Sequence, residues 1–411
     1  MPDQAIELRI LNESFQQIAI IRDFTSLQWT QKYYEPGQFA LQCGLNYVHL
    51  LPHARYVYRV GTDVLGVIDS TQVDTMHMMR GRFASAQLME RAVNRRVTYT
   101  GTVESVCRDV VRDFCIEPED AGRVVPHLVL GEYMGIDEEG RSFGSAQDDN
   151  EGAPDDEGGA GEHSSPLRDD DGTASAPDDI EPTTIEPTTV EPTTVGIVTI
   201  QPYGKTVYDA IREVLTANEM SFRLRYVFET NALVFEVYQG LDRTQNQTEN
   251  DWCVFSSELY NVQKEVFTRS QDTRNFAYVV NGNEDNNEDE WVIEIEVDDG
   301  RPRAEVWVQD NTKLTEDMTE EEFEAAIRQT GLNKLAEFNI ADTGECEIAV
   351  HNAMSYGLGD LCTYINSRIG VTFEQRITEI AEVYEPNRVA TTVVLGKEQL
   401  TEGKKIMRAV K

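Results

Sequence analysis

Residues 137–191 form a long acidic stretch that cannot contribute to a hydrophobic core. The stretch holds 18 Asp and Glu residues against two arginines, and it has few large apolar side chains. Burying so little apolar surface cannot offset the entropy that is lost when a chain becomes ordered. The stretch therefore predicts a disordered insertion, and any core must be built from the two parts of the chain that flank it.

The end of the insertion carries three copies of Glu-Pro-Thr-Thr, which start at Glu181, Glu186 and Glu191. Proline and the β-branched threonine favour an extended backbone, so this part predicts a stiff spacer. Two interpretations stay open, a neutral surface addition and a segment that tethers or binds a partner. Placing the insertion at 134–195 divides the rest into three predicted parts: an N-terminal β-rich domain with two helices over 1–133, an α/β middle region over 196–330 and a C-terminal β-rich domain over 331–411.

The formal net charge is −37, of which −16 lies in the insertion and −21 on the rest of the chain. A negative surface repels phosphates, so sequence-specific nucleic-acid binding is not expected. The acidity suits a surface that DNA passes without sticking, and it equally suits simple solubility. No window approaches the roughly 20 apolar residues that a membrane helix needs, and no signal peptide is evident. The six scattered cysteines are typical of reduced core residues, which indicates synthesis in a reducing cytoplasm.

Strands dominate the pattern before the insertion. Apolar residues alternate at Leu27 and Trp29 and again at Phe39 and Leu41, on either side of Glu35-Pro36-Gly37. Proline followed by glycine favours a type II turn, in which Gly37 would have a positive φ. "YVYRVGTDVLGVIDS" predicts a second hairpin that turns at Gly61-Thr62-Asp63. Helical periodicity then predicts two helices, over residues 85–96 and 102–115.

After the insertion, helical and strand patterns alternate. "TVYDAIREVLTANEM" predicts a helix with Thr206 as its N-cap. "SFRLRYVF" and "ALVFEVYQG" predict a hairpin that turns near Thr230-Asn231. "RNFAYVVNG" and "RAEVWVQD" predict strands around the acidic loop at 284–290. Thr319 and Glu322 have the spacing of a capping box at the start of a further helix.

Few residues are candidates for catalysis or metal binding. His49 and His53 are separated by Pro52, which prevents the helix that would align both on a metal ion. Cys115 and His127 have no marked spacing, and neither a P-loop nor a Gly-x-Gly-x-x-Gly motif occurs. The acidic loop lacks the order of a calcium-binding loop. We therefore predict no catalytic residue, no metal site and no cofactor.

Five motifs occur in an order that is similar to that of a known family. "SLQWTQKYYEPGQFALQC" (26–43) resembles an N-terminal strand–turn–strand, and "LMERAVNRRV" (88–97) resembles the helix after the first strands. "VFEVYQGLDRT" (234–244) and "VFSSELYNVQKEVF" (254–267) resemble a strand ending in Gly-x-Asp-Arg-Thr and the segment that follows it. "LGDLCTYINSRIGVTFEQRITEIAEVYEPN" (358–387) resembles the C-terminal strands. In this order the chain resembles the tail-hub (baseplate hub) proteins of long-tailed phages and prophages, of the ReqiPepy type in siphoviruses.

The resemblance implies an α+β, mainly β fold with β-barrel-like tail-hub domains and smaller α/β domains. It also implies a structural protein without enzymatic activity, which forms a ring, expected to be a homotrimer, at the virion tail tip (the baseplate) after synthesis in the bacterial host cytoplasm. One face of the ring would join a distal-tail or tail-tube protein, and the other a spike, fibre or receptor-binding protein. A tape-measure protein is a further candidate partner. The long acidic insertion departs from the family's pattern.

Two other functions stay open at this point. The first is the hub of a contractile tail or of a phage-tail-like injection device, which shares the architecture. The second is a tail-associated cell-wall hydrolase. The sequence continues for only 15 residues after "VVLG", and we therefore expect no hydrolase domain behind the hub.

The candidate interaction residues lie in three of the motifs. The aromatic residues around the Pro-Gly turn are expected either to anchor subunit packing or to form ordinary core. Asp242 and Arg243 are expected to form a local ion pair that holds the turn after a strand. Gly359 and Asp360 begin the C-terminal motif. The full candidate set is Trp29, Tyr33, Tyr34, Pro36, Gly37, Phe39, Asp242, Arg243, Gly359 and Asp360.

Overall fold

The computed structural model describes residues 6–135, 197–269, 274–282, 291–298, 300–316, 318–338, 342–349, 354–386 and 388–396. The predictions for the acidic insertion and for the acidic loop lie outside these described residues. The helices are α1 (Val103–Val111), α2 (Val207–Ala217) and α3 (Glu320–Ala336). No helix in this part of the chain is long and apolar enough to cross a lipid bilayer.

Strands make up most of the regular structure on both sides of the insertion. Those before it are β1 (Leu8–Leu11), β2 (Gln17–Ile21), β3 (Ser26–Lys32), β4 (Gln38–Cys43), β5 (Tyr56–Arg59), β6 (Leu65–Val73), β7 (His77–Phe83), β8 (Tyr99–Thr102) and β9 (Leu128–Leu130). Those after it are β10 (Ile197–Ile200), β11 (Ser221–Val227), β12 (Ala232–Tyr238), β13 (Val254–Phe255), β14 (Val262–Arg269), β15 (Phe276–Asn281), β16 (Trp291–Glu296), β17 (Glu305–Asp310), β18 (Asp342–Ile348), β19 (Leu361–Asn366), β20 (Val371–Glu385) and β21 (Arg388–Leu395).

One sheet of 13 strands joins the two flanks of the chain. Its strands follow the order β14-β18-β21-β20-β3-β4-β7-β6-β5-β1-β2, and β19 and β13 extend it from β20. The flanks meet where β3 pairs antiparallel with β20, with Trp29 opposite Glu382. The N-terminal and C-terminal strands therefore belong to one sheet. The division of the chain at residues 133, 195 and 330 stays a prediction.

The α+β, mainly β fold that the sequence predicts is confirmed. The sheet, however, is an open path rather than a closed barrel. Among the described residues β14 pairs only with β18, and β2 pairs only with β1, so each end of the path presents an unpaired edge.

Three smaller sheets carry the helices. Strands β8 and β10 form one, β9, β12 and β11 form the second, and β16, β15 and β17 form the third. Helices α1 and α2 contribute Val110 and Ile211 to the same hydrophobic cluster as Phe235 of β12. Helix α3 contributes Ile327 to a separate cluster with Val279 of β15. Each helix therefore buries its apolar side against a sheet.

Several local predictions are confirmed. The side chain of Thr206 accepts a hydrogen bond from the Asp209 main chain at the start of α2. Thr319 and Glu322 form the expected capping box at the start of α3. Strands β11 and β12 form the expected hairpin, and its turn places Asn231 at a φ of 55°. Gly61, in the turn between β5 and β6, has a φ of 86°. These signals depend only on neighbouring residues.

The predicted helix over residues 85–96 is wrong. A short 3₁₀ helix covers Ala84–Glu90, and the chain after it is extended. The main chain there pairs with the segment before α2: the Val207 N–H donates to the Arg91 carbonyl, and the Val93 N–H donates to the Lys205 carbonyl. These long-range bonds replace the helical ones. The helix predicted over 102–115 is present as α1, followed by a π-helical turn over Arg112–Ile116.

The turn at Pro36-Gly37 also differs from its prediction. The described glycines with positive φ do not include Gly37, so the expected type II conformation is wrong. Close packing requires the glycine instead. A Cβ there would lie 2.3 Å from the Phe83 ring and 2.4 Å from the main-chain oxygen of Thr30.

His77 of β7 is buried, with 1% of its surface exposed. Neither ring nitrogen has a hydrogen-bond partner among the described residues. Burial lowers the pKa of the imidazole below its ordinary value of 6.5, because the charged form would lose its hydration. The folded chain therefore binds a proton at this site less readily than the unfolded chain does.

We expect the free energy of unfolding to fall as the pH drops through 6.5, because only the unfolded His77 gains a proton there. The His77 contribution to this slope is at most about 1.4 kcal/mol per pH unit. Urea unfolding between pH 5.5 and 8 checks this: the stability of His77→Leu relative to the wild type should increase as the pH falls. The exposed His53, replaced in His53→Gln, is the control. Parallel curves for His77→Leu and the wild type would contradict the prediction.

Candidate functional site

Two segments of main chain cross at a pair of glycines. The chain leaving β12 at Gly240 passes directly against Gly359, which precedes β19. A Cβ on Gly240 would lie 2.1 Å from the Gly359 carbonyl carbon. Gly359 has a φ of 92°, and a Cβ there would lie 2.4 Å from the Tyr33 ring. A side chain at Gly240 would displace the main chain of Gly359, and one at Gly359 would displace the Tyr33 ring and strain the backbone.

The carboxylate of Asp360 holds this crossing together. It is 5% exposed and accepts hydrogen bonds from the N–H groups of Leu241 and Gly357, each at 2.8 Å. Arg243 Nε donates to Asp360 Oδ2, also at 2.8 Å. The predicted local pair of Asp242 with Arg243 is therefore wrong. Asp242 instead accepts the Thr244 N–H, because its side chain turns back onto its own loop.

Tyr33, which directly follows β3, packs against the same crossing. Its hydroxyl lies within hydrogen-bond distance of the Glu219 and Tyr238 carbonyl oxygens, at 3.2 and 3.3 Å. Its ring packs edge-on against Tyr34 and Tyr238. Burial raises the pKa of Tyr33 and of Tyr34 well above the ordinary value, so both phenols stay neutral. Both rings therefore act as packing groups, and the Tyr33 hydroxyl also acts as a hydrogen-bond donor.

Arg376 of β20 closes the arrangement from the C-terminal side. Its Nη1 donates to the Gly359 carbonyl at 3.1 Å, and its Nε pairs with Glu219 at 3.4 Å. The Tyr33 N–H donates to the Thr378 carbonyl of the same strand. We call the set of Tyr33, Gly240, Arg243, Gly359, Asp360 and Arg376 the junction. The junction joins the N-terminal, middle and C-terminal parts of the chain at one place.

The structure brings together only part of the predicted set. Tyr33, Tyr34, Arg243, Gly359 and Asp360 meet at or beside the junction. Arg376 was missed, although it lies within the "EQRITEI" motif, because an arginine in a strand carries no signal for a particular partner.

Trp29 and Phe39 lie in a separate core. They are 0% and 3% exposed, and the Trp29 ring packs against Phe83 with 4.7 Å between centroids. Gly37 also packs against Phe83. These residues occupy the chain's own interior, so the described structure places them as core. Their role in subunit packing stays a prediction.

The chemistry available at the junction is structural. The described residues contain no group of three His, Cys, Asp or Glu side chains placed to hold a metal ion. All six cysteines are buried free thiols. A hydrogen bond with Cys253, together with burial, raises the pKa of the Cys362 thiol. Burial likewise raises the pKa of Cys115 to about 12. Such thiols are not nucleophiles at neutral pH.

A second buried carboxylate lies where the described chain stops before the insertion. Glu104 of α1 is 0% exposed and accepts the N–H groups of Met134 and Gly135, at 2.8 and 3.0 Å. On the other side of the insertion, Ile197 of β10 pairs with Thr102, the N-cap of α1. Both ends of the insertion are therefore anchored at the start of α1. No sequence signal marked Glu104, since a glutamate in a first helical turn is common.

Known proteins are similar to the chain in sequence and in fold. A model of the family described as "Siphovirus ReqiPepy6 Gp37-like protein" matches residues 7–397. No curated protein sequence matches the chain. The crystal structure of a tail protein from Neisseria meningitidis MC58 has a TM-score of 0.51 at 12% identity, covering 96% of each chain, and this likeness shows a shared fold.

Two further solved structures are similar over nearly the whole chain. Prophage tail protein gp18 from Listeria monocytogenes EGD-e has a TM-score of 0.49 at 12% identity, covering 98% of each chain. The prophage MuSo2 43 kDa tail protein from Shewanella oneidensis has a TM-score of 0.48 at 11% identity, covering 95% of this chain and 98% of that one.

Proposed function

The chain belongs to the Siphovirus ReqiPepy6 Gp37-like protein family, and on this premise we propose that it is the structural hub of a phage or prophage tail. In this proposal it forms a ring, a homotrimer, at the distal end of the tail. One face of the ring joins the tail tube or distal-tail protein, and the other carries the spike, fibre or receptor-binding protein. The ring surrounds the passage for DNA, and the protein catalyses no reaction.

The observation that carries the proposal is the single sheet shared by the two ends of the chain. Strand β3 pairs with β20 over Leu27–Lys32. Arg59 of β5 also reaches across to β20, where its Nη1 lies 2.5 Å from Glu382 Oε2 and its guanidinium lies over the Tyr384 ring. With the junction, these contacts support one stiff body from strands far apart in the sequence. A stiff body suits a part whose role is to hold others in place.

The composition of the junction supports a non-enzymatic role. Asp360 and Arg243 neutralise each other, and the carboxylate is also used by two main-chain N–H groups. The phenol of Tyr33 is neutral and is occupied by main-chain carbonyl groups. A catalytic site instead needs a base or nucleophile free to reach a substrate.

The localisation can be tested directly on virions. Antibodies raised against this chain and coupled to gold should label the distal end of the tail, and image reconstruction of that end should show three copies. The control uses virions in which the deleted gene is replaced by a tagged copy. On these virions an anti-tag antibody should label the same position. Labelling of the capsid or along the tail, or a copy number that is not a multiple of three, would overturn the proposal.

The acidity of the chain leads to a prediction about DNA ejection. The residues outside the insertion carry −21, and we propose that part of this charge lines the passage. A negative wall disfavours phosphate adhesion. Replacing carboxylates that face the passage with lysine should therefore slow genome ejection while particles still assemble, as measured by dye release from purified virions. Substitution of the same number of outward-facing carboxylates is the control. Unchanged ejection kinetics would reject this role for the charge.

A further inference from the structure

The sheet of β16, β15 and β17 has two faces with different surroundings. Helix α3 packs on one face, where Val279, Ile295 and Val308 join its hydrophobic cluster. The opposite face, which we call the outer face, carries Glu294, Tyr278 and Trp307 in one row across the three strands. Trp307 is 64% exposed. Trp and Tyr are the side chains that most often dominate binding surfaces, because they bury a large area at a low cost in entropy.

The charge on the outer face is negative. Arg303 lies over the Phe276 ring at 3.4 Å and pairs with Glu305 at 2.8 Å. The positive charge of Arg303 is therefore already compensated within the outer face. Glu294 and Glu296 are exposed and form no ion pair with any described residue. The outer face therefore presents an exposed indole beside unpaired carboxylates. Its complement is a segment with both cationic and apolar side chains.

The sequence contains one such segment that lies outside the described residues. "GKKIMRAVK" (403–411) has four cations, no acid and three large apolar side chains, in a chain whose formal net charge is −37. We propose that the outer face of one copy binds this segment of a second copy. The lysines and the arginine would neutralise Glu294 and Glu296, and Ile406, Met407 or Val410 would cover Trp307.

The assignment to a second copy rests on the proposed function. Copies that each carry a large negative charge repel one another, so an assembly of copies needs a complementary contact. A contact between two different surfaces of the same chain, the outer face and the basic segment, is heterologous, and such contacts close into rings when the rotation allows. An isologous contact, between the acidic outer faces of two copies, would instead be repulsive.

The first test is direct binding. The full chain, with its four segment cations replaced by glutamine, is titrated into a labelled synthetic peptide of residues 403–411, and fluorescence anisotropy is measured. We expect saturable binding that weakens by about tenfold or more between 50 and 500 mM NaCl, because salt screens the charges. Trp307→Ala should weaken binding by about tenfold or more. Trp252→Ala removes a tryptophan of similar exposure, 56%, and should leave binding unchanged.

The charge is tested in the same assay. Glu294→Lys should weaken binding, whereas Glu229→Lys, which makes the same charge change at another exposed position, should have little effect. Absence of peptide binding would overturn the inference, as would equal binding by Trp307→Ala and the wild-type face. Binding lost equally in the Glu294 and Glu229 variants would show a non-specific charge effect and would also overturn it.

The second test separates binding between copies from binding within one chain. Trp307→Ala copies retain the segment but lack the tryptophan, and the glutamine variant retains the outer face but lacks the cations. Light scattering after size-exclusion chromatography should show each variant alone as a monomer and their mixture as a one-to-one dimer. A mixture that stays monomeric while the peptide binds would place the segment on its own chain and overturn the second-copy assignment. Either failure leaves the hub proposal to be judged by labelling of the tail tip.

Discussion

Replacing Asp360 with alanine should lower the free energy of unfolding by about 3–5 kcal/mol, since removing one partner of a buried ion pair leaves the other charge uncompensated. Arg243, with 14% of its side chain exposed, would lose this partner. The N–H groups of Leu241 and Gly357 would lose their acceptor at the same time. Denaturant unfolding followed by circular dichroism measures the effect.

Two variants define what the Asp360 result means. Asp360→Asn keeps the shape and an acceptor oxygen but removes the charge. Its free energy of unfolding should therefore lie between those of the wild type and the alanine variant. Glu119 forms an exposed pair with Arg95, with side chains 79% and 40% exposed, and Glu119→Ala should cost less than about 1 kcal/mol. If Asp360→Ala were no more destabilising than Glu119→Ala, the junction would not hold the three parts of the chain together.

Loss of the junction should also affect assembly. The residues that Asp360 fixes contact Tyr33, which directly follows β3, and Arg376 of β20, so a loosened crossing would misplace strands that belong to the shared sheet. We expect virions carrying Asp360→Ala to be rare and those that form to lose infectivity on mild heating, whereas Glu119→Ala virions should behave as the wild type does.

Replacing Glu104 with alanine should lower the free energy of unfolding by about 3 kcal/mol, because the N–H groups of Met134 and Gly135 would lose their carboxylate acceptor. The Arg108 guanidinium, whose Nη1 lies 3.7 Å from the carboxylate, would lose that charge as well. We expect the main chain at Met134 and Gly135 to open locally more often than the whole chain unfolds. Hydrogen exchange at the amides of Met134 and Gly135 should become faster by an order of magnitude or more, which mass spectrometry can detect.

The matched control for Glu104 is Glu132→Ala, which removes an exposed carboxylate close to the same end of the insertion. Its unfolding free energy and the exchange rates of Met134 and Gly135 should stay near the wild-type values. Equal exchange rates in Glu104→Ala and Glu132→Ala would mean that Glu104 does not anchor the insertion.

Sequence reasoning succeeded where a signal depends on neighbouring residues. The N-cap at Thr206, the capping box at Thr319 and the β11–β12 hairpin follow from spacings of one to four residues, and each is present. The mainly β character likewise follows from alternation along single strands. The order of five weak motifs was enough to indicate the family, because their combination is far rarer than any one of them.

The failures share one physical origin. The helix predicted over 85–96 has suitable periodicity, but main-chain bonds to Lys205 and Val207 hold that segment extended. The glycine at 37 reads as a turn residue, but it is required by the Phe83 ring, 46 positions later. In each case a distant segment supplies the deciding contact.

The amino-acid sequence by itself determined the composition break at the insertion, the mainly β character, several local caps and turns, and the family. Only the tertiary structure decided that β3 joins β20, that Arg243 pairs with Asp360 rather than with Asp242, and that Glu104 receives the end of the insertion. The reason is that a strand's pattern specifies which face is buried but not which strand lies beside it. A charged side chain likewise specifies the sign of its partner and leaves its position to the fold.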